Sequence, residues 1–400
     1  MSNPSESKKG RLHFVANCMY GTHLAGGDVH FFEMARAAVA DGWTLHFFGG
    51  HALQHHLRKE GIPAEITLTD AAMLPPINAE SLGGQLRLLW DYFKRLCVTL
   101  HLLWKIQPED VAYAVTDYWF DVWPVLFSQA RRKLMIWHMQ APTLMQVLRR
   151  SRADVDAKRL ASLYFWASQN ISLGLFRFCR NKHLYYINPV MLPELLRLGF
   201  ERQEVSHLSF GVDISHGAPE TNVGKKYDVV WIGRIHRQKG IEDLVATLSH
   251  LAKVLPGFRA VIMGKVREEL QPQLAAASLI ECVDLPGFVA DDQKWQLFHQ
   301  SRVFLMPSRF EGAPRVIGEA LVSGVSVVAY AVDNYEPVYA GRLLTVPCFD
   351  LEAFKSKAEE TIRALREGSK EYGPTRLEEF RRANSWMATR ERFLMAIDRR

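Results

Sequence analysis

The sequence opens with a strand–loop–helix–strand succession, and this order constrains the fold more than any other feature. Residues 11–17 have the apolar pattern of a strand and are followed by the glycine-rich loop of residues 21–29. Residues 30–42 then have the spacing of an amphipathic helix, and residues 43–50 the pattern of a second strand. Two strands joined through a helix form a βαβ unit, which predicts a parallel sheet with right-handed crossovers.

The same alternation begins again after residue 200. Residues 227–232 have a strand pattern that Gly233 ends, and residues 241–255 have the pattern of a helix. A chain of 400 residues is too long for a typical single core. We therefore expect an α/β protein of two similar domains, with a boundary near residues 205–215 and a ligand bound outside the carboxyl ends of the strands.

The positive charge is unevenly distributed along the chain. Residues 1–200 contain 22 Lys and Arg but 16 Asp and Glu, whereas residues 201–400 contain 27 of each, so the first half carries the whole net charge of +6. A basic half favours an anionic partner, such as a membrane surface or a phosphorylated acceptor. The alternative is surface charge that only aids solubility. No nucleic-acid-binding motif accompanies the charge, so a nucleic acid partner is not expected.

Two largely apolar, aromatic stretches interrupt the first domain. Residues 86–106 and 160–182 each have the pattern of a wide apolar helix, and the first carries a narrow polar stripe. Such helices either dock on a bilayer interface or are buried between the sheet and its neighbours, and burial is favoured for each helix taken alone. Neither stretch offers the ~20 uncharged apolar residues of a membrane-spanning helix.

Localisation is predicted from features that the sequence lacks. Residues 1–10 have no apolar core behind their lysines, so they do not resemble a signal peptide. The five cysteines are scattered without a CxxC pattern or a Cys/His cluster, so neither a disulfide framework nor a zinc site is expected. A reducing cytoplasm fits these features best.

Two cations follow the strand at residues 227–232. Arg234 and Lys239 lie between the end of that strand and the start of the next helix. Cations at the carboxyl end of a buried strand and beside a helix N-terminus form an anion site, in which Arg grips phosphate bidentately and Lys supplies a point charge. The alternative is a pair of solvated loop cations.

Two glutamates lie in the stretch 307–330, at a strand–loop–helix junction. Glu311 falls in the loop, whereas Glu319 lies about two turns into a helix that has Pro314 in its first turn. Carboxylates accept hydrogen bonds from sugar hydroxyls, and two at different depths suit a ligand with a polyol at each end of a diphosphate. The alternative for Glu319 is an i,i+4 ion pair with Arg315.

Four segments together resemble one known family. "GTHLAGGDVHFFEMARAAVADGW", "GRIHRQKGIEDL", "PGFV" and "MPSRFEGAPRVIGEALVSGVSVVAY" are similar to the retaining glycosyltransferases of the GT-B fold, family 4, or glycosyl transferases group 1. The resemblance covers both halves and implies two Rossmann-like parallel-sheet domains facing across a cleft. It implies an acceptor-binding domain at 1–208, a donor-binding domain at 209–384 and a helix at 385–400 that crosses back to the first domain.

The resemblance also implies roles for individual residues. It assigns Glu311 to the donor sugar, Glu319 to the nucleotide ribose, and Arg234 and Lys239 to the diphosphate. It places the glycine loop near the diphosphate and acceptor, and His138 near the sugar. The catalytic residues that it implies are His138, Arg234, Lys239 and Glu311. The donor-binding residues that it implies are Gly26, Gly27, Gly233, Arg234, Lys239, Glu311, Gly312, Ala313, Pro314, Arg315, Val316 and Glu319.

The sequence departs from the family pattern at two places. After Glu311 the usual Gly-Phe-Gly is replaced by Gly-Ala-Pro, and Pro314 removes a backbone donor that Arg315 would then replace. This variant resembles the subset linked to surface polysaccharide assembly. Met139 follows His138 where many relatives have an acid. A structural histidine is therefore the alternative interpretation of His138.

The expected activity follows from the resemblance. It is a metal-independent, retaining transfer of a hexose from a UDP- or GDP-sugar to a saccharide or lipid-linked acceptor. The enzyme would be cytoplasmic or peripheral on the inner face of the membrane. No cofactor or metal is expected, since cations stabilise the leaving diphosphate, and the D-x-D spacing at 154–156 has a solvated context. The alternatives are a sugar-nucleotide epimerase or phosphorylase relative, or a catalytically silent sugar-nucleotide-binding protein.

Overall fold

The chain forms two compact units, each built on its own parallel β-sheet. The computed structural model describes residues 9–21, 24, 26–73, 81–149, 159–217, 224–264, 267–369 and 377–398. Unit 1 consists of Met1–Met145, Lys158–Phe210 and Met387–Arg400, and unit 2 consists of Gln146–Ala157 and Gly211–Trp386. Each unit is a Rossmann-like α/β domain, which confirms the predicted fold class.

Unit 1 contains a seven-stranded sheet in the order β3-β2-β1-β4-β5-β6-β7, and every pairing in it is parallel. The order reverses between β1 and β4, because successive strands are added outward from β1 on one side and from β4 on the other. Such a switch point opens a crevice at the carboxyl ends of the two strands. The strands are β1 Arg11–Ala16, β2 Thr44–Gly49, β3 Glu65–Leu68, β4 Val111–Ala114, β5 Arg132–Trp137, β6 Lys182–Tyr186 and β7 Val205–His207.

Helices connect the strands of unit 1. The strands are buried on both faces, as the fully buried Phe14, Tyr113 and Ile136 illustrate, because helices cover a parallel sheet on its two sides. Helices α3 and α6 both pack against α4. The helices between β1 and β7 are α1 Gly26–Ala40, α2 His51–Lys59, α3 Leu82–His101, α4 Trp119–Phe127, α5 Leu144–Arg149, α6 Arg159–Phe176 and α7 Leu192–Arg197.

Unit 2 repeats this organisation with six parallel strands in the order β10-β9-β8-β11-β12-β13. Its switch point lies between β8 and β11. Two apolar cores cover the two faces of the sheet, one centred on Trp231 and Ile262 and the other on Phe304 and Ile317. The strands are β8 Tyr227–Ile232, β9 Ala260–Met263, β10 Val283–Gly287, β11 Ser301–Met306, β12 Ser326–Tyr330 and β13 Leu344–Val346.

The helices of unit 2 follow its strands in the same alternation. Trp386 begins the last helix in unit 2, and the remainder of that helix belongs to unit 1. The helices are α8 Ile241–Val254, α9 Arg267–Ala276, α10 Asp291–His299, α11 Arg315–Val322, α12 Glu336–Tyr339, α13 Leu351–Arg366, α14 Leu377–Asn384 and α15 Trp386–Asp398.

The structure corrects the predicted start of the first helix. The sequence places Gly26 and Gly27 in a loop, whereas α1 begins at Gly26 and both glycines lie in its first turn. Glycine disfavours helix by about 1 kcal/mol relative to alanine, so the local sequence argues against a helix here. The side chain of His138 lies beside Gly27, and this tertiary contact is absent from any local pattern.

The two aromatic stretches form α3 and α6, and each helix is buried on one side only. In α3, Arg95 and Leu96 are buried, while Leu86, Trp90 and Phe93 are exposed. In α6, Ser168 and Leu173 are buried, while Ile171 and Leu175 are exposed. Among the described residues, no helix combines the length and apolar character needed to cross a bilayer.

Candidate functional site

The predicted donor-binding residues of unit 2 lie at its switch point, on two loops and in helix α11. The first loop follows β8 and leads into α8, and the second follows β11 and leads into α11. Because β8 and β11 are neighbouring parallel strands, their carboxyl ends lie side by side. The sequence separates the two loops by about seventy residues, and the sheet brings them together.

Gly240 sets the distance between these two loops. It has φ +65° and is the residue before α8. A Cβ atom here would lie 2.1 Å from the carbonyl oxygen of Pro307, so only glycine permits this approach. The contact continues along the loops, because the backbone N–H of Arg309 donates to the carbonyl oxygen of Gln238 at 2.8 Å.

Lys239 and Glu311 meet where the loops touch. The Lys239 Nζ lies 2.6 Å from Oε1 of Glu311, and both side chains are mostly buried. The Asn334 side chain donates to the backbone carbonyl of Glu311 at 2.6 Å, which fixes the loop around the carboxylate. Arg234 lies on the same loop as Lys239 and is exposed. The structure thus unites two of the predicted residues in one ion pair and leaves the Arg234 guanidinium facing solvent.

The residues after Glu311 form the start of α11. Pro314 is the capping residue immediately before the helix, one position earlier than the predicted first turn. The Tyr339 hydroxyl donates to the carbonyl of Pro314 at 2.7 Å and holds this junction. Ala313 is buried and Val316 packs against the apolar core, so these two side chains support the site from within.

Glu319 is held by two cations. Its Oε1 lies 3.2 Å from Nε of Arg315 and 3.1 Å from Nζ of Lys294, and the Glu319 side chain is only 4% exposed. The i,i+4 pair with Arg315 that the sequence offered as the alternative is therefore present. Lys294 comes from α10 and also pairs with Asp291 at 3.0 Å. Arg315 is thus ion-paired with Glu319. A phosphate contact by Arg315, as the sequence predicts, would require its guanidinium group to bind both partners.

The predicted residues of unit 1 lie at the carboxyl ends of two strands of its sheet, β1 and β5. Gly26 and Gly27 begin the helix after β1, and His138 directly follows β5. A Cβ atom on Gly27 would lie 3.6 Å from Nε2 of His138, so the imidazole faces the N-terminus of α1. Burial lowers the pKa of His138 to about 4, so the ring is neutral at neutral pH.

The loop after β5 is fixed by residues from two other elements. The structure places Asp117, which follows β4, beside this loop, and the backbone N–H of His138 donates to its carboxylate. Gln169 on α6 donates to Asp117 and also to the carbonyl of Met139 at 2.8 Å. Burial raises the pKa of Asp117 to about 6, although these hydrogen bonds oppose the shift.

Comparison with known proteins assigns a region in the second half of the chain to a family. Residues 226–364 match the family model described as glycosyl transferases group 1. These residues belong to the glycosyl transferases group 1 family. The matched region contains both loops of the unit 2 site, including Lys239, Glu311 and Glu319.

Curated relatives and a solved structure agree with this assignment. The chain is 27% identical over 127 residues to 2-deoxystreptamine N-acetyl-D-glucosaminyltransferase of Niallia circulans, covering 31% of this chain and 33% of that protein. It is 23% identical over 181 residues to alpha-galactosylglucosyldiacylglycerol synthase of Streptococcus pneumoniae, covering 41% and 47%. These alignments therefore span less than half of either relative.

The likeness of structure extends over the whole chain. HepE of Anabaena, solved in complex with UDP and glucose, superposes with a TM-score of 0.67 at 15% identity, over 97% of this chain and 99% of that one. At this identity the likeness establishes the fold alone, and it is the two-domain GT-B fold of glycosyltransferases. The predicted fold is confirmed, and the predicted glycosyl transferases group 1 family is confirmed by the match of residues 226–364. Retention and the polysaccharide-assembly subset stay predictions.

The described part of the chain contains no group of three or more His, Cys, Asp and Glu side chains that could hold a metal ion. The D-x-D spacing at 154–156 lies outside the described residues. All five cysteines are free thiols.

Sequence reasoning missed several residues that shape the site. Asp117 lies directly after an apolar strand pattern. Arg234 was predicted from the same kind of position, so Asp117 could also have been predicted from the sequence. Lys294, Gln169 and Asn334 lie on elements distant in sequence from the groups that they contact. No local pattern in a single sequence indicates such contacts.

Proposed function

We propose that this protein is a glycosyltransferase that moves a hexose from a nucleotide diphosphate sugar to a hydroxyl group, with retention of configuration at the anomeric carbon. The observation that carries the proposal is the 2.6 Å contact of Lys239 with Glu311 at the switch point of a glycosyl transferases group 1 domain. A cation for phosphate and a carboxylate for sugar hydroxyls lie side by side there. A sugar attached to a diphosphate needs that pair of groups.

The cations of unit 2 would serve the leaving group. In the proposed reaction the bond from the anomeric carbon to the diphosphate breaks, and a bond from that carbon to the acceptor oxygen forms on the same face. The proton of the acceptor hydroxyl passes to a phosphate oxygen of the departing diphosphate. Lys239 and Arg234 stabilise the negative charge that grows on the diphosphate, so no protein nucleophile and no metal ion are needed.

The neutral His138 suits contact with an uncharged sugar. Its lowered pKa keeps the ring as a hydrogen-bonding group rather than a cation at neutral pH. The N-terminus of α1, at Gly26 and Gly27, adds backbone N–H donors and a positive helix end that favour an anion. We assign these unit 1 residues to the sugar, diphosphate and acceptor.

The substrates are proposed from the names of related proteins. HepE was solved with UDP and glucose, which supports a UDP-sugar donor, and a GDP-sugar is the alternative. The Streptococcus pneumoniae relative is named as a synthase of a glycosylated diacylglycerol, which supports a saccharide or lipid-linked acceptor. Glu319 would bind the nucleotide ribose while Arg315 and Lys294 hold its carboxylate in place.

We further propose that unit 1 binds an anionic membrane surface from the cytoplasmic side. Trp90 and Phe93 of α3 are exposed and their rings stack at 5.7 Å. The exposed cations Arg87 and Lys94 lie beside them on the same helix. Apolar side chains with adjacent cations suit an interface of acyl chains and acidic headgroups.

The proposed activity is tested by Lys239→Ala. Loss of one leaving-group donor lowers kcat by about 10²–10³. Because both side chains of this ion pair are mostly buried, K239A also leaves the Glu311 carboxylate without its partner, so the thermal unfolding of K239A is measured beside its rate. A panel of UDP-, GDP- and ADP-sugars screened by thermal shift identifies the donor, since a ligand raises stability by mass action. Initial rates of K239A with that donor then give the result.

Lys253→Ala is the matched control, because Lys253 is an exposed lysine at the end of α8 in the same unit. It should leave the transfer rate unchanged. Near-normal transfer by K239A would overturn the proposal. Conversion of the sugar nucleotide without any acceptor would instead favour an epimerase or phosphorylase.

A further inference from the structure

The loop that carries His138 is held by hydrogen bonds to a side chain of α6. The His138 loop comprises residues 138–141, between β5 and α5. Gln169 donates to the carbonyl of Met139 at 2.8 Å and accepts from the backbone N–H of Ala141 at 2.8 Å. Both polar atoms of its amide group therefore bind the loop backbone, and the side chain is 3% exposed.

The same amide connects the loop to the neighbouring strand. The second hydrogen of the Gln169 amide is donated to Asp117, which follows β4 and is also buried. Asp117 in turn accepts from the backbone N–H of His138. Asp117, Gln169 and the His138 loop thus form a closed set of hydrogen bonds across the ends of β4 and β5.

We propose that Gln169 is a positioning residue, which fixes His138 by joining the His138 loop to Asp117. An acid adjacent in sequence does not perform this task, because Met139 follows His138. The acid is Asp117, which follows the neighbouring strand β4. The amide of Gln169 connects it to the His138 loop by hydrogen bonds. Gln169 does not touch substrate in this arrangement, so it acts only through His138.

The inference rests on the proposed function, in which His138 contacts the sugar. Its energetic basis is the cost of leaving buried polar groups without hydrogen-bond partners. If Gln169 is removed, the backbone groups of Met139 and Ala141 recover partners only by moving towards water. Displacement of a catalytic group by ~1 Å lowers a rate by up to about 10²-fold.

A double-mutant cycle tests this role with Gln169→Met, which keeps the side-chain length and removes its hydrogen bonds. We expect Q169M to lower kcat by about 10- to 100-fold with the donor KM nearly unchanged. In the His138→Ala background, Q169M should lower kcat little further, because both changes remove the same contribution. Equal losses in the two backgrounds would overturn the inference, since a merely structural role is additive.

The pKa of His138 supplies a readout that does not depend on activity. Titration of its imidazole signals by NMR should give a pKa near 4 in the wild type, and in Q169M a value raised towards 6.5 as the loop admits water. An unchanged pKa would overturn the inference even if no sugar donor were ever turned over. Failure of the wild type to transfer any sugar would count against the proposed function alone.

Two further variants complete the design. Ser172→Ala changes another buried polar residue of α6 and should alter neither kcat nor the pKa of His138. Gln169→Asn keeps the amide on a shorter side chain, and it serves if Q169M does not fold. Q169N should show the same coupling to His138, and its absence would contradict the inference.

Discussion

At the scale of single residues, Glu319 shows that a sequence pattern can predict one ion-pair partner of a side chain and miss another. The sequence predicted Arg315 as a partner because residues four apart meet on a helix. The second partner, Lys294, lies 25 residues earlier on α10 and is nearly as buried as Glu319. A buried carboxylate that pairs with two cations is held in one orientation. Such rigidity suits a group that is to bind a ribose.

A buried pair of histidines in unit 1 leads to a prediction on the pH dependence of stability. Nδ1 of His13 lies 2.9 Å from Nδ1 of His46, and Nε2 of His13 lies 2.8 Å from a carboxylate oxygen of Asp110. Burial lowers the pKa of both imidazoles, that of His46 to about 3, with His13, Arg11 and Lys105 adding to the shift. The folded state therefore excludes a proton that the unfolded chain binds below about pH 6.5.

Stability should consequently fall as the pH drops from about 6.5 towards 4, and His46→Gln should remove one proton from this dependence. One proton corresponds to about 1.4 kcal/mol per pH unit. The raised pKa of Asp117 has the opposite effect, but it is common to both proteins and cancels in their difference. Urea denaturation of wild type and H46Q at several pH values measures that difference. A difference independent of pH between 7 and 4 would contradict the prediction.

At the scale of elements, hydrophobic periodicity predicted most of the βα alternation. Strand β8 has the predicted bounds Tyr227–Ile232, and α11 begins at Arg315, one residue after the Pro314 that was predicted in its first turn. These elements are strongly periodic and are bounded by glycine and proline, which act locally. The predicted start of α1 was wrong, because the poor helix propensity of glycine favoured a loop at Gly26 and Gly27, whereas both residues lie in the first turn of the helix. The contacts of Gln169 and Lys294 could not be predicted from the sequence, because they join residues that only the folded sheet brings together.

The start of α1 gives a prediction in which stability and activity diverge. In Gly27→Ala the new Cβ lies at an ordinary 3.6 Å from His138, so the better helix former should leave stability unchanged or raise it by up to about 1 kcal/mol. The methyl group also occupies the space between His138 and the helix N-terminus. Transfer should therefore fall, by about tenfold or more, while the melting temperature does not fall.

Gly83→Ala is the matched control for that variant, because Gly83 also lies in the first turn of a helix, α3. A Cβ on Gly83 meets nothing within 4 Å, so G83A should keep its transfer rate. Thermal unfolding and initial-rate assays of the two variants test the prediction. Equal losses of activity in G83A and G27A would contradict it, since the methyl group of G83A does not lie beside His138.

At the scale of the whole molecule, charge and apolar surface are concentrated in one unit. The net charge of the chain lies within residues 1–200, and these residues form most of unit 1. The outward sides of α3 and α6 add exposed apolar residues to that unit, and both helices pack on α4. Large contiguous apolar patches on a monomer surface mark protein or membrane interaction sites. Unit 2 has no net charge in its half of the chain, and it holds the glycosyl transferases group 1 match.

This division predicts that unit 1 carries the protein to anionic membranes. Vesicles of phosphatidylglycerol and phosphatidylcholine should bring the protein to the top of a flotation gradient at low salt, and added salt should weaken the recovery. Trp90→Ser and Phe93→Ser should each weaken binding by roughly tenfold, because each removes a large apolar side chain from the interface. Phe288→Ser is the control, since Phe288 of unit 2 is 80% exposed but lies in the other unit. An equal effect of F288S would show that exposed aromatic residues act without regard to position, and a protein that stays at the bottom of the low-salt gradient would exclude this role for unit 1.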